Sequence, residues 1–425
     1  MSAVAPVASP TPTALPRAFW ALWVCQLVNR LGCFVQPFLV LYLTHDRHLS
    51  AGTAGAVAAA VGAGGVAAQL VGGFLTDRIG RRLTMLICFF GTGAALVLLG
   101  SARGMVMIWV TAFLVGLLGE LFRPAVQATV ADILQPNERV RAYGLLFWAI
   151  NLGFSVSTVS AGLLASVGYG LLFWLNAGTS VIAGLVIWAM VPESRPPLDD
   201  SVPRRPLLGV ALRDTVFLLM VMIQIGYATI YFQGYSTLPL AMADEGLPSA
   251  TYGLVIALNG VVIVLVQPFF GKWLAKLDRP KLLATSMLVV GLGFGLGAFV
   301  HSWWGYGLSV VVWTIGEIGF AAVIGAVFAD LAPIDLRGRY MGLSGMAFGI
   351  GTVVGPLAGT NSLQYFGPTV TWIGCAVLGV VIFIGQYALA PALHARAASN
   401  AATEATPSTA LTEPNEANEA TAATA

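Results

Sequence analysis

The chain has 425 residues, 57% of them hydrophobic and only 9% charged, with a formal net charge of +2 and a mean hydropathy of +0.83. So little polar surface cannot cover a soluble protein of this length, so the class is an all-α integral membrane protein. The net charge gives no sign of a nucleic-acid partner, and none is expected, because the charges are sorted by side instead of gathered into a patch.

An arm over 1–17, rich in Pro and Ala and without a cleavable leader pattern, comes first. Apolar runs follow at 19–43, 53–75, 83–101, 105–130, 142–165, 171–191, 215–239, 252–273, 282–301, 305–330, 340–365 and 368–390. Each is close to the ~20 residues that a hydrocarbon core of ~30 Å requires, which predicts twelve transmembrane helices. The long polar interruption, rich in Pro, Asp and Arg, is a linker over 192–214. It separates an N-terminal six-helix half, 18–191, from a C-terminal six-helix half, 215–393, and a tail over 394–425, rich in Ala, Thr, Asn and Glu, is expected to be disordered.

Basic residues alternate by side. Arg17, Arg78, Arg81, Arg82, Arg139, Arg141, Arg195, Arg204, Arg205, Arg213, Lys272, Lys276, Arg279, Lys281, Arg337, Arg339 and Arg396 fall on one side of the twelve spans. Only Arg47 and Arg103 fall on the other, while Arg30 and Arg123 lie within spans. The positive-inside rule therefore places both termini in the cytoplasm and the protein in the cell membrane. Cys25, Cys33, Cys88 and Cys375 lie inside spans with no CxxC or metal-ligand spacing. They read as small packing residues, and neither a metal nor a cofactor is expected.

A shift of 198 residues lays Gly73, Arg78 and Arg81 on Gly271, Lys276 and Arg279, Ala131-Asp132 on Ala329-Asp330, Arg139 and Arg141 on Arg337 and Arg339, and Gly144 and Gly153 on Gly342 and Gly351. The two halves are pseudo-symmetric copies. Parallel repeats of this kind place a binding site near the bilayer midplane, at their interface.

Between the second and third spans stands Gly73-Phe74-Leu75-Thr76-Asp77-Arg78-Ile79-Gly80-Arg81-Arg82. Its pattern, G-x-L-x-D-R-x-G-R-R, resembles the signature loop of the major facilitator superfamily, secondary transporters that rock two six-helix halves around a central site. An ordinary positive-inside loop would account for the arginines but not for the placed glycines and aspartate. The resemblance implies a gating role for Gly73, Asp77, Arg78, Gly80, Arg81 and Arg82, with Asp132 as an acidic partner. Gly351-x-x-x-Gly355-Pro356-x-x-Gly359 in span eleven resembles the glycine-proline signature that proton-driven exporters of the superfamily carry in span five. Span five here has only a degraded copy without the proline, and tight helix packing explains the same glycines. Asn29-Arg30-Leu31-Gly32, Pro37-Phe38-Leu39, Arg123-Pro124-Ala125 and Ala149-Ile150-Asn151-Leu152-Gly153 look like the multidrug-efflux-type branch.

Charges inside spans carry the chemistry. Arg30, Glu120, Arg123 and Glu317 each cost about 2.5–3.5 kcal/mol at a span centre, so they face a cavity or one another. Arg30 and Glu120 both lie twelve residues, about 18 Å, from the arginine-rich side, which makes an Arg30–Glu120 ion pair one expectation. Arg123, three residues after Glu120, is the alternative partner, releasing Arg30 to Glu317. Glu317 has no arginine at the repeat position, since residue 228 is Ala, and is the better proton carrier. Structural polar pairs that fix helix register would use the same residues. Gln224, Tyr227 and Tyr231, with Tyr235 after them, form one face of span seven that lines a cavity or anchors the helix at an interface, and Asn29 is a further cavity candidate. Asn151, Asn259 and Gln267 are other polar residues in spans.

No phosphate-cradling loop surrounds Gly271-Lys272, and no HExxH or GxSxG is present, which argues against an ATP-driven pump and against an enzyme. The expectation is a proton-coupled exporter of small organic compounds such as drugs, working as a monomer in the lipid bilayer on its small-molecule substrate and protons. Uptake of a polar metabolite by proton symport is the alternative.

Overall fold

The computed structural model describes residues 15–195, 213–274, 277–333 and 337–405. Most of the arm (1–14), most of the linker (196–212) and the end of the tail (406–425) lie outside them.

Among the described residues, eleven helical stretches are long and apolar enough to cross a bilayer. They are α1 (Arg17–Asp46), α2 (Ala51–Arg78), α3 (Arg81–Ser101), α4 (Met105–Ile133), α5 (Arg141–Ala165), α6 (Tyr169–Met190), α7 (Thr215–Ser236), α8 (Ser249–Gln267), α9 (Arg279–Phe299), α10 (Trp303–Leu331) and a final stretch, Tyr340–Asn400. The last turns at Gly367, whose φ of 81° and ψ of 174° are not helical. A glycine there followed by Pro368 breaks the helix as its chemistry dictates. The turn divides the stretch into α11 (340–366) and α12 (368–400), so twelve membrane helices form two halves of six.

Within the first half α1 packs on α5 and α6, α3 on α4 and α6, and α2 on α4; in the second, α7 packs on α11, α9 on α10 and α12, and α8 on α10. The internal repeat survives at the level of single contacts. A Cβ on Gly153 of α5 would stand 2.7 Å from Cβ of Arg30 in α1, and one on Gly351 of α11 would stand 2.2 Å from Cβ of Ala228 in α7. The shift of 198 residues relates both partners of these crossings. It also relates the ion pair Arg81–Asp132, 3.0 Å, to Arg279–Asp330, 2.7 Å.

Three helices are interrupted. α1 stops at Leu31 and resumes at Val35, with the Val35 N–H donating to Asn176 Oδ1 at 3.3 Å. α7 stops at Tyr231 and resumes at Gln233, whose side chain donates to the carbonyl of Gly355 at 2.9 Å. α4 stops at Glu120 and resumes at Phe122, because Pro124 has no N–H to give to the carbonyl of Glu120.

The halves meet along two equivalent pairs, α2 with α11 and α5 with α8. Close approaches run from Gly52 against Gln364, through Gly55 against Thr360 and Gly62 against Thr352, to Gly345 against Gln69, and on the other pair from Gly162 against Ala250, through Gly253 against Thr158, to Gly260 against Ser155. These contacts run from the ends of the helices away from the arginines to about their middle, with Gly345 against Gln69 the one nearest the arginines. Toward the arginine-rich face Gly73, Gly144 and Gly342 have open space where a Cβ would stand, so the structure is sealed on one face and open on the other.

The tail departs from expectation. Residues 394–405 are helical, continuing from α12 to Ala405. Arg396 donates twice to Asp214 at 3.0 and 3.2 Å, His394 Nε2 lies 3.2 Å from Asp278, and Asn400 donates to the carbonyls of Asp330 and Ala332. Alanine-rich sequence favours helix, and the basic side chains seat on the acidic N-caps of α7 and α9. Arg396→Ala leaves the Asp214 side chain, only 7% exposed, without its cation. We expect a loss of about 1–2 kcal/mol, read as a lower melting midpoint in detergent; an unchanged midpoint would show that the docked tail adds no stability.

Candidate functional site: a cavity between the halves

A cavity of about 230 Å³ lies between the halves. The first half contributes Asn29, Arg30, Gln36, Glu120, Arg123 and Asn176 to its wall, and the second contributes Phe232, Tyr235, Phe348 and Thr352. The interruptions of α1 and α7 both border it. Arg123 sits in the middle of the chain's fourth span, yet its side chain is 58% exposed, which a mid-membrane arginine achieves only by facing water in the cavity.

Glu120 pairs with Arg123, Nε to Oε2, with a second contact from Nη2 to Oε1 at 3.5 Å. The Arg30–Glu120 ion pair is therefore replaced by its alternative. The cause is local: residues 120 and 123 are three apart, one helical turn along the same face, and Leu121 between them keeps helical φ and ψ of −58° and −24°, so the shorter reach wins. Arg30 is not released to Glu317 either. Its Nε is buried and has no hydrogen-bond partner among the described residues.

Glu317 stands behind the cavity wall. Its Oε1 accepts from the Tyr231 hydroxyl at 3.1 Å and its Oε2 from Asn259 Nδ2 at 2.5 Å, and Asn259 is steadied by Thr314 Oγ1 at 3.1 Å. Among the described residues no Lys, Arg or His pairs with it. Tyr231 and Tyr235 hydroxyls are 3.3 Å apart, so hydrogen bonds lead from the cavity wall at Tyr235 to the Glu317 carboxylate.

Of the four residues expected to line the cavity, Asn29 does so. Gln224 and Tyr227 do not: Gln224 is buried and accepts from Ser344 at 2.9 Å, and Tyr227 stacks on Phe320 with centroids 3.7 Å apart. Both lie on the part of α7 before its interruption, where that face turns into the second half's own core. Tyr231 is the bridge to Glu317, not a wall residue. Tyr235, which sequence reasoning associated with helix anchoring, reaches the wall because α7 restarts at Gln233; its spacing of four from Tyr231 was the available signal. Asn259 as the partner of Glu317 had no signal beyond being polar in a span.

The signature loop forms a compact cluster at the arginine-rich face. Arg81 Nε lies 3.0 Å from Asp132 Oδ2, its Nη1 donates to the carbonyl of Thr76 at 3.1 Å, and Asp77 Oδ1 is 3.6 Å away. Gly80 has φ 103°, a conformation that favours glycine. This turns the chain so that Glu193 accepts from the N–H groups of Arg81 and Arg82 at 2.9 and 3.1 Å, capping α3. Glu193, inside the expected linker, was not foreseen. Arg82 donates to the carbonyl of Trp188, and Arg78 lies over the Phe74 ring. Asp77 is exposed and Gly73 meets nothing from other elements. Gly351, Gly355 and Gly359 all face α7, where a Cβ would meet Ala228, Phe232 and Gln233, and Pro356 lines the cavity.

A bundle of two six-helix halves around a central, solvent-open cavity with mid-membrane charges is the architecture of a secondary transporter. The family model described as Major Facilitator Superfamily matches residues 22–248 and 234–417, and the chain belongs to that family. It is 25% identical over 402 residues, 85% of this chain and 93% of the relative, to a Na(+), Li(+), K(+)/H(+) antiporter of Planococcus maritimus. It is 26% identical over 333 residues, 74% of this chain and 79% of the relative, to multidrug resistance protein MdtH of Citrobacter koseri (strain ATCC BAA-895 / CDC 4225-83 / SGSC4696). The crystal structure of a point mutant of the peptide transporter POT shares the fold with a TM-score of 0.75 at 17% identity, covering 90% of this chain and 96% of that one.

Proposed function

We propose that the protein is a proton-coupled exporter of small organic compounds, working by alternating access as a monomer in the cell membrane with its arginine-rich face toward the cytoplasm. The observation that carries the coupling is the Glu317 carboxylate, without a basic partner among the described residues and linked to the cavity through Tyr231 and Tyr235. A carboxyl so placed takes up and gives back a proton more readily than one held in an ion pair. Likeness to an antiporter and to a multidrug resistance protein supports export. Arg30, Glu120 and Arg123 then meet the cargo, and the Gly73–Arg82 loop with Asp132 acts as the gate. Asp77, exposed on the open face and 3.6 Å from Arg81 here, engages the other half when that face closes.

Expression in a drug-sensitive bacterial host, scanned against a panel of toxic compounds, tests the direction. Resistance to a subset, lost on addition of a protonophore, is the expected result. Sensitisation instead would mean that cargo moves inward, and no change across a broad panel would remove drugs from the substrate class.

A further inference from the structure

The charged groups that line the cavity are Arg30, Glu120 and Arg123. Glu120 is compensated by Arg123, since both of its oxygens are engaged by that guanidinium. Glu317 is not part of the wall, and its two oxygens are held by Tyr231 and Asn259. One positive charge is left over, on Arg30. Arg30 lines the cavity, and its Nε finds no acceptor among the described residues. The side chain cannot be moved aside easily at its root, because Gly153 packs against Cβ of Arg30 so closely that only glycine fits. Across the cavity Phe232, Tyr235 and Phe348 offer rings.

We propose that the cavity takes an organic anion whose carboxylate or like acidic group pairs with the Arg30 guanidinium and whose apolar or aromatic body lies against Phe232, Tyr235 and Phe348. A planar guanidinium with adjacent N–H groups matches a carboxylate in a two-bonded fork, and that pairing is among the stronger polar contacts available. The aromatic wall accommodates the rest of the molecule by area and ring contact. A cationic ligand is disfavoured: it would meet the uncompensated Arg30, and the wall's single carboxylate is already occupied. This inference rests on the cavity being the transport site, as proposed above, and holds for either direction of transport.

Three probes that share one ring system separate the cases: 2-naphthoate, neutral 2-naphthamide and the cation 2-naphthylmethylammonium, titrated against the purified full chain in nanodiscs by calorimetry. We expect naphthoate to bind at least about tenfold more tightly than naphthamide, and the cation to bind weakest. Arg30→Gln should erase the preference for naphthoate while naphthamide affinity stays within about twofold, and Arg30→Lys should keep part of it, since the charge remains but the fork is lost. If Arg30→Gln does not fold, judged by its melting curve, Arg30→Lys alone decides, because an undiminished naphthoate affinity there together with equal affinity for naphthamide in the unmodified protein overturns the inference. Equal or tighter binding of the cation by the unmodified protein overturns the anion inference and leaves the cavity as transport site. Failure of all three probes to bind, with a folded protein, overturns both.

Discussion

Glu317→Gln is expected to abolish uphill transport driven by a pH gradient in proteoliposomes, bringing it to the level of protein-free vesicles, while exchange of labelled for unlabelled substrate continues at close to its original rate. Glutamine keeps the size and hydrogen-bonding reach of the glutamate but can neither take up nor release a proton. Tyr231 and Asn259 would still hold it, the former at 3.1 Å in the native protein, so the second half should stay folded. Glu120→Gln should behave differently. Removing that carboxylate leaves Arg123 beside Arg30 with no acid between them, and two uncompensated guanidinium groups in one cavity repel. Substrate binding and protein yield should suffer before coupling does. If Glu317→Gln still concentrates substrate on a pH gradient alone, the proton travels on Glu120 or Asp77.

Gly253→Leu is expected to shift the protein toward the state open on the face away from the arginines. A Cβ at Gly253 would lie 2.4 Å from the carbonyl of Thr158 and 3.0 Å from Cα of Gly162, so the α5–α8 crossing cannot close around a larger side chain. Overpacking of this kind costs about 1–3 kcal/mol, and a penalty at the upper end moves a two-state equilibrium on the order of 100-fold. A cysteine placed at Phe38, which packs edge-on against Tyr252 in the sealed face with centroids 5.2 Å apart, reports the change in a background lacking the four native cysteines. Its labelling by a membrane-impermeant maleimide from the sealed side should rise steeply. Leu at Gly178, where a Cβ meets nothing, should leave labelling unchanged. Slow labelling in both would mean that the two halves part elsewhere than at this crossing.

The architecture was legible because its determinants are coarse. Span length, arginine side and the 198-residue repeat are properties of whole segments, and the repeat reappears in the structure as matched pairs, Arg81–Asp132 with Arg279–Asp330 and Gly153–Arg30 with Gly351–Ala228. The signature-loop cluster was legible in part: Arg81 and Asp132 were named, but the capping carboxylate of Glu193 comes from a polar segment with no periodicity to mark it. The cavity was least legible. Its wall depends on where α1, α4 and α7 break, and a break of one residue at Phe232 decides that Tyr235 faces the cavity while Tyr227 is buried. Likewise a three-residue spacing told that Arg123 was able to reach Glu120, but only the observed side-chain positions settle that it does so in preference to Arg30. The docked tail was missed because alanine-rich sequence reads as featureless until the acidic N-caps it lands on are in place.

The tyrosine pair also bears on how cargo and proton take turns. Tyr235 lies in the cavity wall and its hydroxyl is the first link toward Glu317. A molecule resting against that ring stands in the doorway through which a proton from the open face would enter. On the proposed mechanism occupancy works as a cork: while the cargo is seated the carboxylate is cut off from water, and it is reached again only once the seat is vacant. Turn-taking by blocked access asks nothing of the cargo's charge, so an anion and a proton can exchange through one cavity without ever competing for the same group.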